Sequence, residues 1–176
     1  AGVVAFDTET DALSATHAGL CGLSLAVVPG QACYVPLTHE AEPAVRAGGL
    51  DFGGEAPPEA IDQIPLDQAL ARLKPLLENP AVLKVGQNIK YDIAVMRRYG
   101  VDVGPYDDAM LLSYVLEGGL HGHGMDDLSR RRLGHDPIPF KSVCGTGKSQ
   151  ISFRHVELAP ATRYAAEDAD VTLRLW

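Results

Sequence analysis

The feature that most constrains the fold is a succession of three apolar, β-rich stretches within the first 37 residues. VVAF occupies 3–6, LCGLSLAVV occupies 20–28 and ACYVPL occupies 32–37. Turn residues separate the stretches, most clearly the tripeptide PGQ between the second and the third. Apolar, β-branched runs bounded by turn residues are typical of buried strands. We therefore predict a three-stranded meander at the start of the chain.

The remainder of the chain alternates helical and strand patterns. Leucines spaced three or four residues apart predict a helix over 66–77, and a short apolar run predicts a buried strand over 82–85. Residues 39–64 are rich in Gly, Pro and acidic residues and lack periodicity, which indicates a long surface loop. Strands first and mixed elements afterwards indicate an α/β domain with a mixed sheet. Further helices are predicted at about 89–99, 108–117, 126–133 and 155–176.

Length and composition fit one domain. The chain has 176 residues, 46% of them hydrophobic, enough for a single core. No apolar run approaches the roughly 20 residues of a membrane span, and a secretory leader pattern is absent from the start of the sequence. We expect a cytoplasmic monomer without membrane contact. Cys21, Cys33 and Cys144 are odd in number and lack CxxC spacing, so they predict neither a disulfide framework nor a zinc site.

The net charge bears on possible partners. Lys and Arg number 15 against 23 Asp and Glu, which gives −8. Proteins that bind nucleic-acid backbones usually carry basic patches. Metal ions held by acidic residues can bind phosphate instead of such basic patches, since a bound cation is often the largest local charge in a site. The acidity therefore does not exclude a nucleic-acid substrate.

The first candidate motif is FDTET, at the end of the opening strand. Asp7 and Glu9 are two residues apart, so their side chains share one face of the strand. Neighbouring carboxylates raise each other's pKa unless a cation intervenes. A metal site is one interpretation of this pair, and two solvated acids at a strand end are the other.

The second motif, KVGQNIKYD, joins a buried strand to a helix. It places Asp92 in the first helical turn, with Asn88 as the expected N-cap. An acid at this point also complements the helix dipole, which is the local alternative for Asp92.

The third motif is YAAEDAD. Tyr164 and Asp168 are four residues apart on a predicted helix, hence neighbours on one face. Glu167 and Asp170 are expected to face elsewhere and to be solvated.

The acids of the three motifs suggest one chemistry. Oxygen donors without His or Cys favour hard cations such as Mg²⁺ or Mn²⁺ over zinc. Two such ions, about 3.5–4 Å apart, can stabilise the attacking and leaving oxygens of a phosphoryl displacement. Acids accompanied by a tyrosine therefore indicate phosphodiester hydrolysis.

FDTET, GQNIKYD and YAAEDAD, in this order, resemble the three exonuclease motifs of the DEDD superfamily, tyrosine-bearing subtype. Within it, the chain is similar to the 3′→5′ exonuclease (proofreading) domains of bacterial family A DNA polymerases. The similarity extends to GLSLAV, LKPLLE, MDDL and GTGKSQISF. It implies a ribonuclease H-like fold, in which a five-stranded mixed sheet is flanked by helices and the acids meet at one edge. It also implies that residues 1–176 are a single exonuclease domain, a fragment of a longer chain with a polymerase domain in cis.

The resemblance assigns a role to each matching position. Tyr164 orients the attacking water, and Leu13 wedges against the terminal base. For Leu13 and Phe140 a place in the hydrophobic core is the alternative. The two metal ions, Mg²⁺ or Mn²⁺, are held by Asp7, Glu9, Asp92 and Asp168. The single strand is contacted by Gln87, Asn88, Tyr91 and Phe140. Gly122 departs from the family, where an arginine contacts phosphate.

The expected function is metal-dependent hydrolysis of single-stranded or frayed 3′ DNA ends to 5′-mononucleotides, as proofreading during DNA replication and repair. A ribonuclease D-like RNA 3′ exonuclease is the first alternative, because it shares the acids and the tyrosine. A catalytically silent scaffold domain is the second, although such domains lose acids. GTGKS at 145–149 lacks the preceding strand and the first glycine of a P-loop. His121 and His123 lack a third ligand for a metal site.

Overall fold

The computed structural model describes residues 2–41 and 61–176. Its centre is a five-stranded mixed sheet of order β3-β2-β1-β4-β5. β1 pairs antiparallel with β2 and parallel with β4, β2 pairs antiparallel with β3, and β4 pairs parallel with β5. This confirms the predicted meander and the mixed sheet. The strands are β1 (Gly2–Thr10), β2 (Leu20–Val28), β3 (Gln31–Pro36), β4 (Val82–Gly86) and β5 (Tyr106–Asp108).

Helices follow most of the predicted segments. α4 continues into a π-helical turn at Ser129–Leu133, and 3-10 turns occur at Gly147–Ser149 and Phe153–His155. The sequence pattern did not predict the short strand β5 or the five-residue helix α5. Most of the predicted 39–64 loop, residues 42–60, lies outside the described residues. The helices are α1 (Leu66–Leu77), α2 (Lys90–Arg98), α3 (Ala109–Glu117), α4 (Met125–Leu128), α5 (Phe140–Cys144) and α6 (Leu158–Leu175).

The two faces of the sheet are covered by different helices, and the alternation of β1 decides what meets each. Phe6 points to the face covered by α1 and α2, where it packs among Leu77, Val95 and Met96. Ala5 points to the opposite face and packs against Ala169 of α6. Because side chains alternate along a strand, Asp7 and Glu9 share the face of Ala5 and are directed toward α6.

Alanines allow α6 to approach the sheet closely. Ala161, Ala165 and Ala169 are fully buried at spacings of four residues, which is one face of the helix. A methyl group is the smallest side chain that still packs, so the helix backbone comes near the strands. No helix among residues 2–41 and 61–176 combines the length and the hydropathy needed to span a membrane.

Candidate metal centre and strand pocket

Three acids meet where β1 faces α6. One carboxylate oxygen each from Asp7, Glu9 and Asp168 lies within 4.8 Å of the others. Glu9 and Asp168 are nearly inaccessible, at 6% and 5% exposure. The two-residue spacing of Asp7 and Glu9 and the close packing of α6 explain why the three converge.

The fourth predicted acid, Asp92, lies in the first turn of α2 and is buried. Its Oδ1 accepts hydrogen bonds from Thr8 N at 3.0 Å and from Thr8 Oγ1 at 2.5 Å. Thr8 stands between Asp7 and Glu9, so these bonds attach Asp92 to the acid-bearing end of β1. Asp92 therefore does more than complement its own helix.

The acids carry strongly perturbed pKa values. Burial first, then the charges of Asp92, Glu9 and Asp168, raises the pKa of Asp7 well above its ordinary value. Burial is also the largest cause that raises the pKa of Glu9, of Asp92 to about 7 and of Asp168 to about 8. Glu9 Oε1 is buried without a hydrogen-bond partner among the described residues. A bound cation stabilises ionised carboxylates. A cluster whose acids resist ionisation, and which leaves a carboxylate oxygen unpaired, is therefore suited to hold one.

Tyr164 stands beside Asp168 on α6. Burial, followed by the negative charges of Asp168, Glu9 and Asp7, raises the pKa of its phenol far above the usual value. The hydroxyl therefore stays protonated and can donate a hydrogen bond. The ring packs edge-on against Phe140, with centroids 6.0 Å apart, and is tilted against Phe153, with centroids 5.9 Å apart.

A cavity of about 260 Å³ opens next to the acids and is lined by Glu9, Leu13, Tyr91, Phe140 and Phe153 among others. This volume is below the roughly 300 Å³ at which pockets for drug-sized ligands begin, so it suits a single nucleoside-sized group. Leu13 is 97% exposed and Phe140 is 43% exposed, which shows that the core alternative is wrong for both.

Tyr91 is half-buried at the edge of this pocket. Its hydroxyl donates to the carbonyl oxygen of Ala12 at 2.8 Å and is hydrogen-bonded to Thr10 Oγ1 at 2.6 Å. These bonds fix the chain immediately after β1, next to Leu13.

Gln87 and Asn88 are outside the residues that line the pocket. Gln87 Nε2 donates to the His123 carbonyl at 2.8 Å. The prediction that Asn88 caps α2 is wrong, since its φ of 62° is left-handed and the N-cap is Ile89. Asp108 supplies the acceptors instead, with Asn88 N at 2.9 Å and Ile89 N at 3.1 Å from its carboxylate.

Two further acids differ from expectation, because neither Glu167 nor Asp170 is simply solvated. Glu167 accepts hydrogen bonds from His135 Nε2 at 2.8 Å and from the backbone of Ile138 at 2.5 Å. Asp170 accepts one from Gly30 N at 2.6 Å. Both acids lie on α6 and attach it to loops that are distant in the sequence.

Sequence reasoning missed Asp108 and the ion pair of Asp11 with Arg154, whose atoms Oδ2 and Nη2 are 2.6 Å apart. An aspartate just before an apolar helical run is a recognised N-cap pattern, so the N-cap role of Asp108 could have been predicted from the sequence. Nothing in the sequence connects Asp11 with Arg154.

Within the described residues, neither the histidine pair, His121 and His123, nor residues 145–149 form a metal or phosphate site. His121 Nε2 bonds Glu117 at 2.8 Å and His123 Nδ1 bonds Ser113 at 2.9 Å. Among the described residues, only Asp7, Glu9 and Asp168 form a group able to hold a metal. Residues 145–149 form a turn after α5 rather than a strand-to-helix loop. A Cβ at Gly122 would lie 2.3 Å from Asp127 Oδ2, so a larger residue requires Asp127 to move.

The fold is similar to those of solved structures. Brucella melitensis NrnC superposes with a TM-score of 0.65 at 20% identity, covering 99% of this chain and 69% of that one. Escherichia coli RNase D gives 0.63 at 16% identity, covering 99% and 37%. These likenesses show a ribonuclease H-like fold, and in this chain the acidic cluster lies where the central strand β1 faces α6.

The chain belongs to the 3′-5′ exonuclease family, whose model matches residues 1–176. It is 50% identical over 184 residues to DNA polymerase I of Rhizobium leguminosarum, covering 99% of this chain and 17% of that protein. DNA polymerase I of Pseudomonas aeruginosa is 43% identical over 176 residues, covering 98% and 18%. The chain therefore spans less than a fifth of the length of these relatives.

Proposed function

We propose that this chain hydrolyses single-stranded or frayed 3′ ends of DNA to 5′-mononucleotides with two divalent metal ions. The observation that carries the proposal is the convergence of Asp7, Glu9 and Asp168 within 4.8 Å in a buried setting. Membership of the 3′-5′ exonuclease family supports the polarity of the reaction. The names of the relatives support DNA as the substrate.

The donor set fits Mg²⁺ or Mn²⁺, because every candidate ligand is a carboxylate oxygen. Asp7, Glu9 and Asp168 would hold one ion, and Asp92 with Asp7 would hold the second. Bound ions would activate water and neutralise charge on the phosphate. The unpaired Oε1 of Glu9 is the feature of this chain that a ligated cation accounts for.

The protein groups orient the reactants. Tyr164 keeps its proton, and its hydroxyl donates to the attacking water so that the lone pair faces the phosphorus. Leu13 and Phe140 enclose the terminal base, and an apolar contact of this kind accepts any base. Gln87, Asn88 and Tyr91 are proposed contacts of the strand, and Tyr91 also fixes the chain beside Leu13.

The relatives favour proofreading by an exonuclease attached to a polymerase domain in cis, in the cytoplasm. The likeness to RNase D keeps an RNA 3′ exonuclease as a second candidate, although that likeness is at 16% identity. A silent scaffold is disfavoured, because Asp7, Glu9, Asp92, Asp168 and Tyr164 are all present.

The test compares DNA and RNA oligonucleotides labelled at the 3′ or the 5′ end, with Mg²⁺, Mn²⁺ or EDTA. We expect immediate release of labelled mononucleotide from 3′-labelled DNA, and a ladder from 5′-labelled DNA, only with metal. Asp168→Ala should be inactive, while Asp102→Ala, a surface acid paired with Arg97, should match the wild type. Full activity in EDTA contradicts the metal mechanism, and faster cleavage of RNA than of DNA favours the second candidate.

A further inference from the structure

Leu13 is almost fully exposed, yet the loop that carries it is closed. Residues 11–19, here the wedge loop, are joined at their ends by two hydrogen bonds. Asp11 N donates to the Gly19 carbonyl at 3.1 Å, and Gly19 N donates to Asp11 Oδ1 at 2.6 Å. The two ends of the loop are thus hydrogen-bonded to each other, while Leu13 between them is exposed to solvent.

Several side chains attach the wedge loop to the body of the domain. Tyr91 donates to the Ala12 carbonyl at 2.8 Å, and Arg98 donates to the carbonyls of Ala15 and Ala18.

Arg154 holds the ends of the loop through Asp11. Arg154 belongs to the 3-10 turn Phe153–His155, and its side chain is 23% exposed. Its Nη2 contacts Asp11 Oδ2 at 2.6 Å, while its Nη1 contacts Glu40 Oε1 at 3.2 Å and donates to the Thr38 carbonyl at 3.3 Å. One guanidinium therefore connects the chain after β1, the chain after β3 and the 3-10 turn.

Gly19 lies directly against this ion pair. A Cβ at Gly19 would lie 2.6 Å from Asp11 Oδ2 and 2.7 Å from Arg154 Nη2. Only glycine leaves room for the pair at this point. A planar guanidinium in a partly buried site is held more firmly than an exposed cation, because its donors are fixed in a rigid fork.

The ion pair of Asp11 with Arg154 adjoins the pocket that Leu13 and Phe140 line. Asp11 and Leu13 both line the pocket, and so do Ser152 and Phe153, which precede Arg154. Ser152 Oγ also donates to the Asp11 carbonyl at 3.4 Å. Arg154 therefore joins two segments that line the cavity, residues 11–13 and 152–153, and is not itself among the lining residues.

We propose that Arg154 is a positioning residue that fixes the wedge loop through Asp11, so that Leu13 is in place to contact the terminal base. The inference rests on the proposed exonuclease function. A leucine on a loose loop would be ordered only when substrate binds, and that ordering weakens binding. Arg154 lowers this cost before substrate arrives, in addition to the bonds from Tyr91 and Arg98, and does not touch substrate.

The test measures how strongly the enzyme uses the terminal base. Values of kcat/KM are compared for single strands that end in a normal or an abasic 3′ nucleotide. Stacking predicts a wild-type ratio on the order of tenfold. Leu13→Ala and Arg154→Ala should each lower this ratio, and the double variant should lower it no further, because both remove one contact. The ratio is independent of the fraction of active enzyme, so partial unfolding does not imitate the effect.

Arg97→Ala is the matched control, since this arginine is exposed at the end of α2 and, within the described part of the chain, pairs with Asp102 alone. It should leave the ratio at the wild-type value. Arg154→Lys should restore part of it. Additive losses in the double variant, or an unchanged ratio in Arg154→Ala, would overturn the inference.

A readout without catalysis separates this inference from the proposed function. Hydrogen exchange of residues 11–19 should accelerate in Arg154→Ala and not in Arg97→Ala, with exchange of β1 unchanged. Unchanged exchange overturns the inference even in an active enzyme. A wild type that releases no nucleotide from any 3′ end rejects the proposed function, and the exchange result then still decides whether Arg154 fixes the loop.

Discussion

At the scale of single residues, the acid cluster is suited to hold metal but lowers the stability of the metal-free domain when its acids ionise. Burial raises the pKa of Asp92 to about 7 and of Asp168 to about 8. Both values are above the roughly 3.9 of an unfolded aspartate, so the unfolded state releases protons that the folded state keeps. The contribution of these two acids to the stability of the metal-free domain is therefore fully present below about pH 4 and is lost as the pH rises through the folded values of about 7 and 8.

Asp168→Asn removes one of these groups while preserving its shape. In EDTA at pH 8.5 we expect a melting temperature equal to or above that of the wild type, and a weaker fall between pH 5 and pH 8.5. Mg²⁺ should raise the melting temperature of the wild type more than that of the variant, because ligands stabilise the state that binds them. Thermal melts over this pH range provide the check. A large loss of stability in EDTA would mean that Asp168 is structural.

Tyr164→Phe isolates the role of one hydroxyl. The ring contacts with Phe140 and Phe153 remain, so the fold and metal affinity should be nearly unchanged. Loss of water orientation should slow single-turnover hydrolysis on the order of tenfold to a hundredfold. Tyr114→Phe is the control, because Tyr114 is 61% exposed on α3. Equal single-turnover rates for wild type and Tyr164→Phe would contradict the assignment.

At the scale of elements, one carboxylate begins two helices. Asp108 accepts hydrogen bonds from the backbone of Asn88 and Ile89 before α2, and of Met110 and Leu111 in α3. It is 6% exposed, so water does not replace it readily. Because Asp92 lies in the first turn of α2, Asp108 also fixes where that acid stands.

Asp108→Ala should lower the free energy of unfolding by about 2–4 kcal/mol, because two caps are lost and buried N–H groups are left unpaired. Half-saturation by Mg²⁺ should move to higher concentration as Asp92 shifts. Asp108→Asn should be intermediate. Urea denaturation and Mg²⁺ titration measure both effects, with Asp102→Ala as the surface control. Unaltered stability in Asp108→Ala would show that the helix starts do not depend on this residue.

The sequence predicts those elements whose determinants are local. β1 to β3 and α1 have clear periodicity, and the alternation of β1 alone brings Asp7 and Glu9 to one face. β5 has three residues, too few for a pattern, and exists because it pairs with β4. Asp168 reaches the cluster through the packing of α6, which family resemblance implied and spacing did not. The ion pair of Asp11 with Arg154 joins residues 143 apart in sequence, a separation that no local pattern encodes.

At the scale of the whole molecule, the net charge and the pocket size bear on which form of 3′ end the proposed exonuclease would cleave. A net charge of −8 gives little long-range attraction for duplex DNA. In the proposed function, a pocket of about 260 Å³ has room for one terminal nucleoside. Stacking contributes about 1–3 kcal/mol per base, enough to hold a frayed end but too little to melt a long paired one.

Cleavage should therefore follow the fraying of the DNA itself. Initial rates at one salt concentration, with subsaturating enzyme, should decrease from single-stranded to mismatched to fully paired 3′ ends. The first and last should differ by roughly tenfold or more, since unpairing costs a few kcal/mol. Identical oligonucleotides that differ only at the terminal pair serve as internal controls. A fully paired end degraded as fast as a single strand would refute frayed-end selection.

The alanine face of α6 has a consequence for how catalytic rate can drift among relatives. The distance between Asp168 and the acids of β1 is set by how near the helix lies to the sheet, and methyl groups at 161, 165 and 169 act as the spacer. Each added methylene at these sites would lift the helix and widen the gap without altering a single ligand. The separation of the acids, and with it the activity, therefore depends on the alanines of α6. A comparison of relatives that considers only the acids would miss this dependence.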